Sequence, residues 1–288
     1  MLLGFADYSH QAQALAAELD LPYAQVEVHR FPDGESKVTL PDSLPARLVI
    51  CRSFDRPNNK LVELLLTVRT ARELGASHLT LVAPYLCYMR QDIAFNPGEA
   101  VSQGIIGEFL ASLLDAAITV DPHLHRIERI AQAVPLQQSL AVSAAPLIAD
   151  FLTQQDDPVL LGPDRESLQW VSTIAKLCGF EHCVCSKERL GDRQVLIQLP
   201  DYDFRGRNVV LIDDVVSTGE TLASATRSCL AAGAELVDAM VTHALFSEGA
   251  EERILQSGVM KIWSTDSITH ASNSISLAPL LAHCLRNN

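Results

Sequence analysis

Short runs of branched and aliphatic residues punctuate the chain and alternate with longer segments that have the length and composition of helices. The runs Arg47–Cys51, Leu79–Ala83, Ile118–Asp121, Val159–Gly162, Cys183–Ser186, Asn208–Ile212 and Leu236–His243 read as strands, since a strand covered on both faces is apolar almost throughout. The segments Ser9–Leu19, Asn59–Leu74, Val101–Leu114, Leu168–Cys178 and Glu220–Ala231 read as helices. Gly75, Gly179 and Gly233 stand where a helix needs a left-handed stop. Strands alternating with helices predict an α/β protein, with a mainly parallel sheet flanked by helices. The joins Glu73–Leu79 and Ala231–Val237 link a helix to a strand through the same Gly-Ala step. A tandem duplication is therefore expected, with one domain over residues 1–145 and a second over 146–288.

Composition narrows this picture. Of 288 residues, 48% are hydrophobic and 20% charged, as in a globular protein with a sizeable core. The formal charge of −13 argues against nucleic acid as a partner, because such binding draws its affinity from basic surface. No apolar run approaches the ~18 residues needed to span a bilayer, so no membrane partner is expected. Seven scattered cysteines with no paired spacing favour free thiols in a reducing cytoplasm. Cys183-Val184-Cys185 reads as a core strand, because no second pair of ligands follows it.

The densest chemistry lies in the stretch Val209–Thr221. An apolar strand runs into two carboxylates, Asp213 and Asp214, and then into a small hydroxylated loop, Ser217-Thr218-Gly219-Glu220-Thr221, that opens a helix. Backbone N–H groups of such a loop can hold a phosphate. The hydroxyls of Ser217, Thr218 and Thr221 can add hydrogen bonds, and the two carboxylates can accept them from ribose hydroxyls. Ser/Thr capping alone accounts for Ser217 or Thr218 but not for the acid pair. A phosphorylated sugar is the ligand that this pattern suits.

Four further strand ends carry polar groups, as the ligand-binding edge of an open α/β sheet does. Arg90 follows the run ending at Ala83 and can pair with a phosphate or stack on a base, though a solvated loop arginine fits the spacing equally well. His123 and Asp164 each leave a strand, as groups suited to a divalent cation. Lys187 and Arg189 flank Glu188 and could clamp charge on a phosphoryl group, or simply form a surface loop. Phe31-Pro32-Asp33-Gly34-Glu35 is a turn that sets an aromatic ring beside two carboxylates. A base could stack on Phe31 and donate to Asp33 or Glu35, but a plain hairpin tip is the first reading of these residues alone.

Taken together, these motifs resemble the ribose-phosphate diphosphokinase family over almost the whole chain and in the family's order. The resemblance implies two tandem phosphoribosyltransferase-type domains and the transfer of a diphosphoryl group from ATP to the C1 hydroxyl of ribose 5-phosphate, with Mg²⁺ as cofactor and a homo-oligomeric assembly. Phe31, Asp33 and Glu35 are similar to the adenine-contacting loop, and Arg90-Gln91-Asp92 to the ATP-contacting arginine motif. Asp121-Pro122-His123 and Asp164 resemble the metal side, with His123 and Asp164 as implied ligands, and Lys187 and Arg189 the catalytic cations. Asp213, Asp214, Ser217, Thr218, Gly219 and Thr221 resemble the ribose-5-phosphate loop, and Asn58–Leu64 a family helix start. Residues Ile93–Glu99 are similar to the shorter archaeal-type branch. Gly162, Arg165-Glu166-Ser167, Ser217 and Glu220 depart from the usual pattern, in positions that bear on metal geometry and turnover more than on fold. A phosphoribosyltransferase, which shares the Asp213–Thr221 loop, and a non-catalytic regulatory homologue are the two alternatives.

Overall fold

Where the chain carries its apolar runs it forms parallel strands, sorted into two sheets. The computed structural model describes residues 1–124, 127, 129–189 and 195–287. Contacts divide the chain into a first unit, Met1–Ser143 with Ser267–Thr269 and the segment from Ser276, and a second unit, Ala144–Asp266 with His270–Ile275.

The first unit contains β1 (Leu2–Phe5), α1 (Ser9–Glu18), β2 (Tyr23–Arg30), β3 (Ser36–Thr39), β4 (Arg47–Cys51), α2 (Pro57–Glu73), β5 (His78–Ala83), α3 (Ser102–Leu113), β6 (Ala116–Val120) and β7 (Gln138–Val142). The second contains α4 (Ala145–Leu152), β8 (Val159–Gly162), α5 (Leu168–Cys178), β9 (His182–Val184), β10 (Ser186–Arg189), β11 (Val195–Gln198), β12 (Asn208–Val216), α6 (Glu220–Ala231), β13 (Leu236–Ala244), α7 (Ala250–Gln256), β14 (Ile262–Thr265) and β15 (Asn273–Ile275). The chain then returns to the first unit as α8 (Ala278–Asn287), which packs on α1 and donates from Arg286 to the Glu18 carbonyl.

The sheets run β3-β2-β1-β4-β5-β6-β7 and β15-β14-β13-β12-β8-β9. Every pairing within them is parallel except β2 with β3, which forms a hairpin. With β3 set aside, the two orders coincide strand for strand in chain sequence, as a tandem duplication requires. Leu3, Phe5, Leu48, Ile50, Leu79 and Leu81 bury one face of the first sheet against Leu64 and Val68 of α2 and Leu110 of α3. In the second unit Val209, Leu211, Val237 and Ala239 pack with Leu222 and Ala225 of α6. Gly75, Gly179 and Gly233 take φ of +98°, +78° and +93°, the expected left-handed stops.

β5 and β13 each gain one residue over their expected limits, β6 spans Ala116–Val120 where Ile118–Asp121 was expected, and two further strands differ in how they pair. The stretch Cys183–Ser186 does not continue through Cys185: β9 ends at Val184, and Ser186 opens an antiparallel hairpin of β10 with β11, a separate two-stranded sheet. Cys183 and Cys185 join the same core cluster, and burial pushes their thiols up to about 11 and about 12. β12 runs on past Ile212 to Val216, because Asp213, Val215 and Val216 keep ladder partners in Val241, His243 and Ala244. All seven cysteines are free thiols, and no described helix is long and apolar enough to cross a membrane.

Gly107 records how closely α3 approaches its neighbour. A Cβ there would stand 1.6 Å from the carbonyl oxygen of Ala133, backbone that cannot swing aside. Gly107→Ala is expected to cost about 1–3 kcal/mol or more and to lower the melting temperature. Gly104→Ala on the same helix, whose Cβ meets nothing within 4 Å, is expected to leave it unchanged or raise it, so paired thermal melts test the contact.

Candidate active site

The connections of the second sheet leave β8 and β12 in opposite directions, β8 through α5 to β9 and β12 through α6 to β13. The crevice beyond the carboxyl ends of this strand pair is where ligands of open α/β sheets bind. Asp164 leaves β8 there, and Asp213 and Asp214 lie at the end of β12. The two carboxylates stand inside the paired strand, not beyond it, so the ladder fixes their backbone. Asp213 is half-buried and Asp214 only 3% exposed. The Asp214 N–H donates to Asp213 Oδ1 at 3.1 Å, and the Val215 N–H to Asp214 Oδ1 at 2.8 Å. Burial, then the charges of Asp214 and Asp164, holds the Asp213 carboxyl well above the usual carboxylate range.

The loop that follows is braced from outside the motif. The Ser217 carbonyl accepts both the N–H (2.9 Å) and the hydroxyl (3.1 Å) of Ser247, and the Thr218 carbonyl accepts from Arg253. Gly219 caps α6 at φ +74°, and a Cβ there would sit 2.8 Å from Ile254 Cγ1 and 3.0 Å from the Ala250 carbonyl. Only glycine suits both the conformation and the space. Ser217 and Thr221 are half-buried, Thr218 exposed. Glu220 turns its carboxylate to Arg227 (3.2 Å) and Arg253 (3.7 Å), so its charge at the start of α6 is paired.

Asp164 accepts the N–H groups of Glu166 (3.0 Å) and Ser167 (3.3 Å), while the Ser167 hydroxyl donates to the Asp164 carbonyl at 2.6 Å. A Cβ on Gly162 would meet that hydroxyl at 2.4 Å. The bare Gly162 and the buried Ser167, two of the departures noted in the sequence, therefore form one packing arrangement.

In the first unit Phe31–Glu35 is the tip of the β2–β3 hairpin. The Phe31 N–H donates to the Glu35 carbonyl (2.8 Å), the Gly34 N–H to the Phe31 carbonyl (2.9 Å), and the Glu35 N–H to Asp33 Oδ1 (3.1 Å). The Phe31 ring is 41% exposed and meets His29 edge-on at 4.7 Å. Arg90 is exposed after β5; Gln91 and Asp92 are half-buried. Gln91 ties the loop to the start of α3, accepting from the Ser102 hydroxyl (2.8 Å) and, through its carbonyl, from the Gln103 N–H (3.1 Å). His123 is half-buried beyond β6, after Asp121 at φ +34°. Lys187 and Arg189 lie in β10, and their side chains fall outside the described residues.

Within the second unit the fold thus gathers Asp164, Asp213, Asp214 and the Ser217–Thr221 loop at one strand crossing, while the hairpin tip, Arg90–Asp92 and His123 belong to the first. Among the described residues no three His, Cys, Asp or Glu side chains form a ready metal cage. Mg²⁺ asks for less, taking one or two carboxylates together with substrate phosphates and water. The charge crowding that lifts Asp213 suits a cation nearby. Ser247 and Arg253 went unnoticed in the sequence because they act through backbone carbonyls, which leave no residue pattern.

Comparisons with known proteins match the two parts of the chain to two domain models. The profile of the N-terminal domain of ribose phosphate pyrophosphokinase matches residues 1–114, and that of the phosphoribosyl transferase domain residues 130–273. The ribose-phosphate pyrophosphokinase of Methanopyrus kandleri is 36% identical over 277 residues, 95% of this chain and 94% of that one. That of Saccharolobus solfataricus is 34% identical over 89% of each chain, and that of Methanothermobacter thermautotrophicus 30% identical over 100% of each. Phosphoribosylpyrophosphate synthetase from Mycobacterium smegmatis shares the fold, with a TM-score of 0.83 at 22% identity over 99% of this chain and 97% of that one.

The raised Asp213 carboxyl has a pH signature. Folding holds its proton to higher pH than the unfolded chain does, so the folded state loses stability as pH climbs from the ordinary carboxylate range through the raised one. Asp213→Asn is expected to raise the melting temperature at neutral pH. The gain should shrink as pH falls toward about 4, where the unfolded carboxyl is protonated as well. Melts of both proteins across that range check this, and a gap independent of pH would remove charge as its cause.

Proposed function

The chain belongs to the ribose-phosphate pyrophosphokinase family, and we propose that it transfers the diphosphoryl group of ATP to the C1 hydroxyl of ribose 5-phosphate, giving AMP and 5-phosphoribosyl 1-diphosphate. The observation that carries this reading is the acid pair Asp213 and Asp214 running into the Ser217–Thr221 loop at the strand crossing of the second unit. In this proposal the loop N–H groups and the hydroxyls of Ser217, Thr218 and Thr221 hold the 5-phosphate. Asp213 and Asp214 accept from the ribose hydroxyls and so orient the sugar.

The nucleotide side falls to the domain proposed over residues 1–145. Phe31 stacks on the base, Asp33 and Glu35 accept from its exocyclic amine, and Arg90, with Gln91 and Asp92 beside it, meets the phosphates. His123 and Asp164 are the residues proposed to hold Mg²⁺, whose charge neutralises the triphosphate when bound. The C1 hydroxyl attacks the β-phosphorus in line; the O–P bond to the sugar forms as the bond to the α-phosphate oxygen breaks, and that oxygen leaves with AMP. Lys187 and Arg189 stabilise the negative charge gathering on the β-phosphoryl and departing oxygens. The exposed hairpin tip supports a homo-oligomer in which Phe31–Glu35 serve the ATP site of an adjacent copy.

Incubation with ATP, Mg²⁺ and ribose 5-phosphate is expected to release AMP in step with 5-phosphoribosyl 1-diphosphate. Absence of both products overturns the assignment. Lys187→Ala is expected to lower turnover roughly 10²–10³-fold while the affinity for ribose 5-phosphate stays near wild type; wild-type turnover removes Lys187 from the mechanism. Sedimentation at assay concentration tests the assembly, since a fully active monomer rules out a shared ATP site.

A further inference from the structure

The first unit has a strand crossing of its own. β1 leads through α1 to β2, and β4 through α2 to β5, in opposite directions across the sheet. Arg52, the residue after β4, holds the register position that Asp213 holds in the second unit. Each lies five residues beyond the first residue its strand pairs with the next strand, Arg47 opposite His78 and Asn208 opposite Leu236. The charge at this point is reversed, and it is fully engaged. Arg52 is 3% exposed, lies over the Phe5 ring at 4.0 Å, and grips Asp7 through Nε and Nη2 at 3.1 and 3.2 Å. Its Nη1 stands 2.7 Å from Glu63 Oε2, an ion-pair contact off the axis of a straight hydrogen bond. Lys60 pairs with Asp7 at 2.9 Å and with Asp55 at 2.7 Å.

With Arg30 the network holds three cations and three carboxylates, so this crossing needs no ion from outside. What it does instead follows from Glu63. This carboxylate, on α2, is 0% exposed. A charge so buried persists only where partners surround it. Its Oε2 faces Arg52; its Oε1 accepts from Arg30 Nε (3.1 Å), Arg30 Nη2 (3.0 Å) and the Ser36 hydroxyl (3.2 Å). Arg30 is the last residue of β2 and Ser36 the first of β3. One oxygen atom therefore holds both stems of the loop whose tip is Phe31–Glu35. The tip itself is exposed, and no other described side-chain hydrogen bond joins it to α2.

We infer that Glu63 is a positioning residue that sets the orientation of the Phe31–Glu35 tip and, through it, the affinity for the adenine nucleotide. The second half of this inference rests on the proposed function; the first half, the clamp, does not. Glu63 touches no reacting atom, so loosening it acts on nucleotide binding rather than on the chemical step.

The test uses the full chain and three variants. Glu63→Gln keeps the shape and removes the charge. Ser36→Ala and Arg30→Met each remove one arm and leave the Glu63–Arg52 pair in place, which covers the case in which Glu63→Gln does not fold. Amide hydrogen exchange is read at the tip, over residues 29–37, and at β4 as the internal reference. Exchange at the Phe31 and Gly34 amides is expected to quicken roughly 10-fold in Glu63→Gln, the worth of a hydrogen bond to a charged group, with a smaller change in the single-arm variants and none at β4. In the reaction, KM for ATP is expected to rise by about the same factor, with kcat and KM for ribose 5-phosphate within about two-fold of wild type.

Unchanged tip exchange in all the folded variants overturns the clamp. Equal loss of affinity for both substrates, or faster exchange at β4 to the same extent, assigns Glu63 a general structural role and overturns the inference. If wild type makes no AMP, the reaction assignment falls, and the exchange measurements alone decide whether the clamp stands.

Discussion

A parallel sheet ends all its strands at the same edge, and that edge has to accept the groups that the core refuses. Each unit here directs six parallel strands to one such edge, and the candidate residues after β5, β6, β8 and β12 all stand along it. The ladder that makes the edge possible also denies its residues room to relax. Asp213 is held opposite Val241 by strand pairing, with Asp214 next in the chain and Asp164 on the neighbouring strand exit. Burial first, and then like charges that cannot move apart, raise the pKa of Asp213. In the proposed function, a sugar hydroxyl or a cation at this point relieves that crowding.

The two units resolve the same geometric problem in opposite ways. In the first, the strand crossing carries Arg52 and is closed by ion pairs: burial would raise the Asp7 carboxyl, but Arg52 and Lys60 outweigh it and hold that carboxyl below its usual range. In the second, the matching position carries an acid and the crevice keeps an excess of negative charge. In one copy of the scaffold the charges at the crossing are thus paired with one another, while in the other like charges stand side by side. The paired network also reaches the hairpin, whose stems donate to Glu63 and whose tip exposes the Phe31 ring.

The sequence was most legible where burial is complete. β4, β8 and α5 have the limits their apolar runs predict, because both faces of those strands and one face of the helix meet core. β2, β3, β7 and β15 carry polar residues on exposed faces and were not among the expected strands; nor was β1, which is buried throughout but only four residues long. β12 was cut short at Ile212 because two carboxylates look like an ending, whereas pairing continues beneath them to Val216. The acid pair and hydroxyl loop were visible as a motif; their brace from Ser247 and Arg253 was not, since it runs through carbonyls thirty or more residues away. Glu63 lay in the helix start Asn58–Leu64, which stood out by resemblance, but nothing in its neighbours marks a carboxylate as fully enclosed.

The contact between Gly162 and Ser167 carries an evolutionary consequence. Each residue looks tolerable or not only in the presence of the other: a side chain at 162 collides with the hydroxyl of 167, and that hydroxyl closes the turn beyond β8 by reaching the Asp164 carbonyl. A lineage moving between this pairing and one with serine at the first site and glycine at the second cannot change the sites in either order at equal cost. Loss of the hydroxyl has to come first, leaving a briefly looser turn, before the first site can enlarge. Every route between the two variants therefore passes through a form with neither side chain, and less than an ångström of space imposes that intermediate.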